Sequence, residues 1–350
     1  MKAVSVAPVI DQGGSVDRRP RIAFLGVGWI GAMRMKSLLK SGFAQCCGVA
    51  DADRGAALRA AHLAPGTLAT TSLEKLLELE PDGLVIATPS AAHAAQAVAA
   101  LQCGVSVFCQ KPLGRDGAET RSVLEAARRA DRLLAVDLCY RHTAAIEAVR
   151  DAAAAGQLGK IYAVELVFHN AYGPDKPWFG RRSASGGGCL LDLGTHLLDL
   201  ALWLTDCDAA CVDAATLLRA GAALRPACEE VEDFALAQLR TDTGLPVRLA
   251  CSWWISAGCA CAIECTLYGT AASVSMRNVG GSFYDFTAEL RIGSETRTLV
   301  GPPDDWGPRA INRWAQRLAC GMGFDPAGAR ALQRLADTLD EIYARAGGAR

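Results

Sequence analysis

The chain has 350 residues, with 36 Lys plus Arg against 37 Asp plus Glu and a formal net charge of -1. That length accommodates two domains with sizeable cores rather than one. The balanced charge supplies no field to draw in nucleic acid or anionic lipid, so a small-molecule partner is expected, with no nucleic acid and no membrane.

Residues 1–20 lack the basic-then-apolar order of a secretion signal and read as a flexible leader. No apolar run in the sequence approaches the roughly 20 residues of a membrane span, and a cytoplasmic location is expected. From 21 to about 139, apolar runs alternate with helical stretches, the pattern of a parallel sheet with crossover helices. Ile22 to Leu25 is a short core strand, followed by Gly26, Gly28 and Gly31 at G-x-G-x-x-G spacing and a helix over 32–40. In such a turn the first glycine permits the bend, the second lets backbone N–H groups reach a pyrophosphate, and the third lets helix pack on strand. A second strand over 46–50 ends in Asp51, where a carboxylate suits ribose hydroxyls. Helices over 56–64 and 72–79 follow, the latter opened by a Ser cap with Glu74 in its first turn. Strands over 83–87, 105–109 and 133–138 alternate with helices over 91–103 and 119–130. Ligands in such sheets bind beyond the carboxyl ends of the strands, which brings Gly26 to Gly31, Asp51, Thr88 to Ser90 and Gln110 to Pro112 to one edge.

Past Tyr140 the character changes. A helix over 144–155 precedes a strand over 160–170 with one buried face. Gly186 to Gly188 open an apolar helix over 190–204. Strand-like runs at 211–218, 232–239, 246–254, 261–268 and 273–276 predict an α+β unit with a mostly antiparallel sheet, closed by helices over 312–319 and 327–344. The fold class is therefore an N-terminal α/β dinucleotide-binding domain over 21–139 and a C-terminal α+β domain over 140–350. Fourteen cysteines are expected to be small, reduced core residues. Cys259, Cys261 and Cys265 do not have zinc-site spacing, and no metal is expected.

The residues that could do chemistry lie at that strand edge and on the apolar helix. Asp192 and His196 are four apart, so on a regular helix they share a face; a carboxylate there can orient an imidazole, which then takes a proton from an alcohol as hydride leaves. The bland alternative is a structural ion pair. The three glycines before the helix allow close approach of a ligand or of another backbone. Lys111, at the end of the fourth core strand, can hold a substrate oxygen and pass a proton; its alternative is a surface lysine on a turn. Thr88, Pro89 and His93 are expected to line the cofactor, although His93 equally suits a helix start with no ligand. The 169–178 loop offers flat faces from Tyr172 and Trp178 and hydrogen bonds from His169 and Asp175, against an ordinary surface loop. Asp51 favours NAD by repelling a 2'-phosphate, while Arg54 leaves NADP open.

The chain resembles the Gfo/Idh/MocA family through Gly26-Val-Gly-Trp-Ile-Gly31, Ala87-Thr-Pro-Ser-Ala-Ala-His93, Gln110-Lys-Pro112, Gly156-Gln-Leu-Gly159 and Gly186-Gly-Gly-Cys-Leu-Leu-Asp-Leu-Gly-Thr-His196. The resemblance implies a Rossmann domain binding a nicotinamide dinucleotide at Gly26, Gly28, Trp29, Ile30, Gly31, Asp51, Arg54, Thr88, Pro89, His93, Gln110 and Lys111. It also implies a C-terminal sheet whose open face makes a homodimer or homotetramer, oxidation of a sugar or cyclitol hydroxyl, an active site of Lys111, Asp192 and His196, and a cis Lys111–Pro112 bond. Members usually have Glu where this chain has Gln110; without that charge, Lys111 would lose a partner favouring its protonated form. The expected reaction is hydride transfer between a secondary alcohol and the nicotinamide. His196 serves as base, Asp192 as its orienter, and Lys111, His169, Tyr172 and Trp178 bind substrate with them. Two other readings stay open: a non-catalytic dinucleotide or sugar sensor of the same fold, and a redox-neutral sugar-modifying enzyme that keeps its NAD bound.

Overall fold

The computed structural model describes residues 19–225 and 228–347; the leader expected over 1–20 lies, except for its last two residues, outside the described ones. The first sheet comes from β1 (Arg21–Leu25), β2 (Gln45–Ala50), β3 (Leu68–Thr70), β4 (Gly83–Ile86), β5 (Ser106–Cys109) and β6 (Leu134–Val136), all parallel in the order β3-β2-β1-β4-β5-β6. The central strands β1, β4 and β5 are short apolar runs buried on both faces, as parallel strands covered by helices must be, while the edge strand β3 stays partly exposed. The crossovers include α1 (Trp29–Ser41), α2 (Arg54–Ala61), α3 (Leu73–Leu77), α4 (Ser90–Gln102) and α5 (Gly117–Ala130). Polar residues cap several of them: Ser72 accepts from Lys75 N ahead of α3, and Asp116 accepts from Glu119 N ahead of α5. Such caps satisfy N–H groups that a first helical turn leaves without partners.

After α6 (Ala144–Ala154) comes the second sheet. Its strands are β7 (Ile161–Asn170), β8 (Ala210–Arg219), β9 (Ala222–Ala223), β10 (Phe234–Thr241), β11 (Pro246–Ser252), β12 (Cys261–Gly269), β13 (Ser273–Asn278), β14 (Phe286–Ile292) and β15 (Glu295–Val300). They form one nine-stranded sheet in the order β15-β14-β13-β12-β7-β11-β10-β8-β9, antiparallel except where β11 lies parallel to β7. Together the two sheets give the α/β plus α+β architecture expected, with β14 and β15 as strands the sequence patterns did not separate. One face of the second sheet is core: Val164, Leu166, Phe168, Leu249, Cys251, Ile263 and Leu267 are at most 3% exposed. The opposite face carries charge, with Arg248 against Glu165 and Arg277 against Glu289.

The helical stretch before β8 consists of α7 (Arg182–Ser185), a π-helical turn Leu190–Gly194, and α8 (Thr195–Leu204). At 23 residues and mean hydropathy 1.2 over its most apolar window, Arg182–Leu204 is long and apolar enough to cross a membrane, contrary to the expectation that no run would be; 89% of that window is buried inside the protein. Its apolarity is that of a core helix clasped between sheet and helices, which meets the same composition test as a span. The chain ends with α9 (Arg309–Ala319) and α10 (Pro326–Arg345). The latter returns to the first sheet's helices: Gly117 N donates to Asp340 Oδ2 at 2.8 Å, and Gln333 Nε2 to Gly117 O at 3.1 Å. All fourteen cysteines are free thiols. Cys259 lies in the turn before β12 rather than on the strand with Cys261, and among the described residues no group of three or more His, Cys, Asp or Glu is arranged to hold a metal.

Candidate active site

The glycine turn after β1 has the shape of a dinucleotide cradle. Gly26 has φ of +84°, and a Cβ there would lie 2.5 Å from Ala87 O; one at Gly31 would lie 2.0 Å from Gly26 O. Side chains are thus excluded where strand, turn and α1 close on each other. Gly28 instead faces open space, with nothing within 4 Å of a Cβ position, and no side chain caps α1. Open space before uncapped N–H groups at a helix N-terminus fits a pyrophosphate. Trp29 begins α1 and is 72% exposed at the mouth of this cradle, with Ile30 half-buried beside it. Asp51 directly follows β2, where Oδ2 accepts from Val27 N at 2.8 Å and Oδ1 from Asp53 N at 2.9 Å. Each oxygen keeps a lone pair for a ribose hydroxyl. Arg54 is exposed at the start of α2.

His93 is not open to a ligand. It is 1% exposed, with Nδ1 2.7 Å from Pro112 O and Nε2 2.7 Å from Thr88 O, and burial lowers its pKa. It fastens the end of β4 to the turn after β5, which sets where Thr88, Pro89 and Lys111 stand. Gln110 is likewise spent inside: it is 9% exposed, and its Nε2 donates to Asp137 Oδ2 at 2.5 Å.

Lys111 follows β5, and its bond to Pro112 is cis. Its Nζ donates to Asp192 Oδ1 at 2.5 Å and to Asp192 O at 2.8 Å, with both side chains under a fifth exposed. So the amine does have a carboxylate partner; it comes from the Leu190–Gly194 turn rather than from position 110. Asp192 Oδ2 accepts from Trp253 Nε1 at 3.2 Å. The expected pairing of Asp192 with His196 does not form, for a physical reason. Leu190–Gly194 is wound as a π turn, with Thr195 N bonded to Leu190 O, and its wider turn breaks the four-residue stacking of a regular helix. His196 instead packs edge-on against Tyr140, centroids 4.8 Å apart, and is 7% exposed with Nδ1 buried and unpartnered. Burial first, then the charges of Lys111 and Arg34, hold its pKa well below the histidine range. The imidazole therefore rests neutral, with a lone pair available.

The three glycines before this turn admit protein rather than ligand. A Cβ at Gly187 would lie 2.0 Å from Tyr343 Oη, and one at Gly188 would lie 1.9 Å from Glu232 O. Glu232 is fully buried. Its Oε1 accepts from Gly188 N at 2.9 Å, Leu190 N at 3.0 Å and Tyr343 Oη at 2.7 Å. The carboxylate thus caps the turn that carries Asp192. Glu232, Tyr343, Trp253 and Tyr140 were all missed by motif reading, because only the tertiary fold brings them to this turn.

In the 169–178 loop, Trp178 stacks on Phe179 at 3.8 Å, and Phe179 meets Trp253 edge-on at 6.4 Å, so the aromatic run reaches the indole that donates to Asp192. Tyr172 is 52% exposed near Phe283, and Asp175 pairs with Lys176. His169 does not stand beside His196. Strand alternation turns Phe168 toward Tyr140 and sends His169 to the other face, where it bonds Ser252 Oγ at 2.7 Å and stacks on Phe234.

Comparison with known proteins agrees with this geometry. Residues 20–138 match the model of an oxidoreductase family with an NAD-binding Rossmann fold, and residues 146–275 match the Gfo/Idh/MocA C-terminal domain. A putative UDP-kanosamine synthase oxidoreductase subunit from Amycolatopsis mediterranei is 34% identical over 248 residues, 67% of this chain and 68% of the relative. Inositol 2-dehydrogenase 2 of Saccharopolyspora erythraea is 27% identical over 73% of this chain and 72% of its own. A 3-ketoreductase from Actinomadura kijaniata, crystallised with NADP and TDP-benzene, superposes with a TM-score of 0.82 at 20% identity, covering 95% of this chain and 98% of that one. The chain belongs to the Gfo/Idh/MocA family of NAD(P)-dependent oxidoreductases.

Proposed function

We propose that this oxidoreductase moves a hydride between a secondary alcohol of a sugar, cyclitol or sugar derivative and the nicotinamide. One observation carries the reading: the Lys111 ammonium, at the carboxyl edge of the dinucleotide sheet, is held by Asp192 next to a neutral, buried His196. A bound nicotinamide supplies the hydride acceptor or donor. Lys111 hydrogen-bonds the reacting oxygen, His196 takes or returns its proton, and Asp192 fixes the amine rather than the imidazole. Trp178, with Tyr172 at the loop tip, gives a flat apolar wall suited to a sugar ring. Gly26, Gly28, Trp29, Ile30, Gly31, Asp51, Thr88 and Pro89 form the cofactor cradle, and Asp51 favours NAD over NADP because a 2'-phosphate would meet its carboxylate.

The same reading divides the chain into a dinucleotide unit over 21–139 and a substrate and assembly unit over 140–350. It takes the charged open face of the second sheet as the homodimer or homotetramer contact, and it makes the enzyme cytoplasmic. The relatives support the substrate class by their own names, which include dehydrogenases of inositol and of glucosides and reductases of activated sugars. Absorbance at the nicotinamide band, followed with each cofactor across sugars, cyclitols and nucleotide sugars, tests the reading. Turnover of one such alcohol is expected; no change with any of them, from protein that binds the cofactor, would refute it.

A further inference from the structure

One charged cluster lies behind the site and is not used by the chemistry above. Asp137, just past β6, is 1% exposed. Its Oδ2 accepts from Arg34 Nε at 2.5 Å and from Gln110 Nε2 at 2.5 Å, while Oδ1 is buried without a partner. Asp137 N also donates to Cys109 O at 2.9 Å. Asp137 therefore grips the end of β5 with both backbone and side chain, one residue before Lys111. Arg34, 3% exposed on α1, sends Nη1 to Gly307 O at 2.7 Å. The cluster ties the helix that begins at the glycine turn to the strand end that carries the amine. Its one carboxylate balances one buried guanidinium, and the remaining contact must come from a neutral donor.

We propose that Asp137 is a positioning residue that supplies the buried negative charge behind Lys111, and that position 110 is Gln because a neutral donor can share that carboxylate with Arg34 where a second carboxylate cannot. A Glu at 110 would set two carboxylate oxygens at the contact distance now spanned by an N–H bond. Only a shared proton makes that contact tolerable. The groups that face Asp137 are Arg34 from α1, Gln110 and Cys109 from the β5 end, and Cys139 and His142 after β6. Among these Arg34 is the permanent cation.

The test compares wild type, Gln110→Glu, Asp137→Asn and the double variant between pH 5 and 9. It reads thermal midpoint and, resting on the oxidoreductase reading, kcat/KM with the best alcohol found. A carboxyl pair with a raised pKa contributes stability below that pKa and loses it as pH rises. The midpoint of Gln110→Glu is thus expected to fall with rising pH, and its kcat/KM to drop about 10-fold more than that of wild type between pH 6 and 8, since one pKa unit is a factor of 10. In the double variant the charge moves to 110 and the amide to 137, which restores a flat profile and kcat/KM within about 5-fold of wild type, as coupled neighbours should. Asp137→Asn leaves Arg34 buried without a counter-charge and melts lower at every pH.

A pH profile of Gln110→Glu parallel to wild type, a double variant as impaired as Gln110→Glu, or an unchanged midpoint for Asp137→Asn would overturn the proposal. Should Gln110→Glu fail to fold, recovery of soluble protein in the double variant supports the pair, and failure to recover it counts against the pair. The thermal measurements decide the matter even if the wild type oxidises no alcohol, so the two ideas fail separately.

Discussion

Replacing Glu232 by Ala tests how the site is held. The change removes the single acceptor shared by Gly188 N, Leu190 N and Tyr343 Oη. Each buried donor left without an acceptor costs about 1–3 kcal/mol. Water entering the vacated space favours the lower end, about 3–5 kcal/mol for the three. At about 2–4 °C per kcal/mol, scanning calorimetry should find the thermal midpoint lowered by about 6–20 °C. Because the π turn carries Asp192, kcat/KM should also fall, by about 10–100-fold, while dinucleotide affinity at the far cradle stays unchanged. Glu232→Gln separates acceptor from charge. Burial raises the Glu232 pKa, and Oε2 has no partner; a folded pKa above the unfolded one is stabilising at low pH and costs stability as pH rises. Losing that charge while keeping Oε1 should therefore cost little, within about 1 kcal/mol at pH 7. The reasoning fails if the Ala variant melts within 2 °C of wild type, taking ~2 °C as the shift from the smallest such loss, or if Gln is as damaging as Ala.

Three further outcomes follow from the same structure. Asp51→Ser should bring the Kd for NADP to within about 10-fold of that for NAD, or below it, by removing the carboxylate that opposes a 2'-phosphate; side-by-side fluorescence titrations with an unchanged ratio would exclude Asp51 as the selector. His169→Ala, on the sheet face away from His196, should leave kcat/KM within about 3-fold, and a loss of two orders would return it to the substrate site. Burial lowers the pKa of His93, His169 and His196, and that of His142 to about 4. A histidine whose folded pKa is depressed costs stability once the unfolded chain takes up protons that the folded one refuses. The midpoint should thus fall as pH drops from about 6.5 toward 4, and less steeply in His142→Gln; equal slopes would remove His142 from the acid response.

The first sheet was legible because each short apolar run and each helix carries its own period, and Gly26, Gly28 and Gly31 mark the turn between them. Lys111 was legible from its place after a core strand. The failures share a cause. Asp192 and His196 were paired on the geometry of a regular helix, and the π turn between them has no signature in the local sequence. His169 was assigned by residue type, whereas strand alternation, which sets Phe168 inward, decides its face. The glycines at 186–188 signal close approach, but nothing local says that the visitors are the Glu232 backbone and the Tyr343 hydroxyl. Gln110 stood out as a departure from its family, and its reason, the donor requirement of Asp137, sits 27 residues along the chain.

The central claim is that the Lys111 ammonium acts on the reacting oxygen beside neutral His196. Steady-state oxidation by Lys111→Ala, with dinucleotide binding measured on the same protein, tests it most directly. The account predicts a loss of kcat of about 10²–10⁴-fold with an unchanged cofactor Kd. Turnover within about 10-fold of wild type, at equal cofactor affinity, would contradict it.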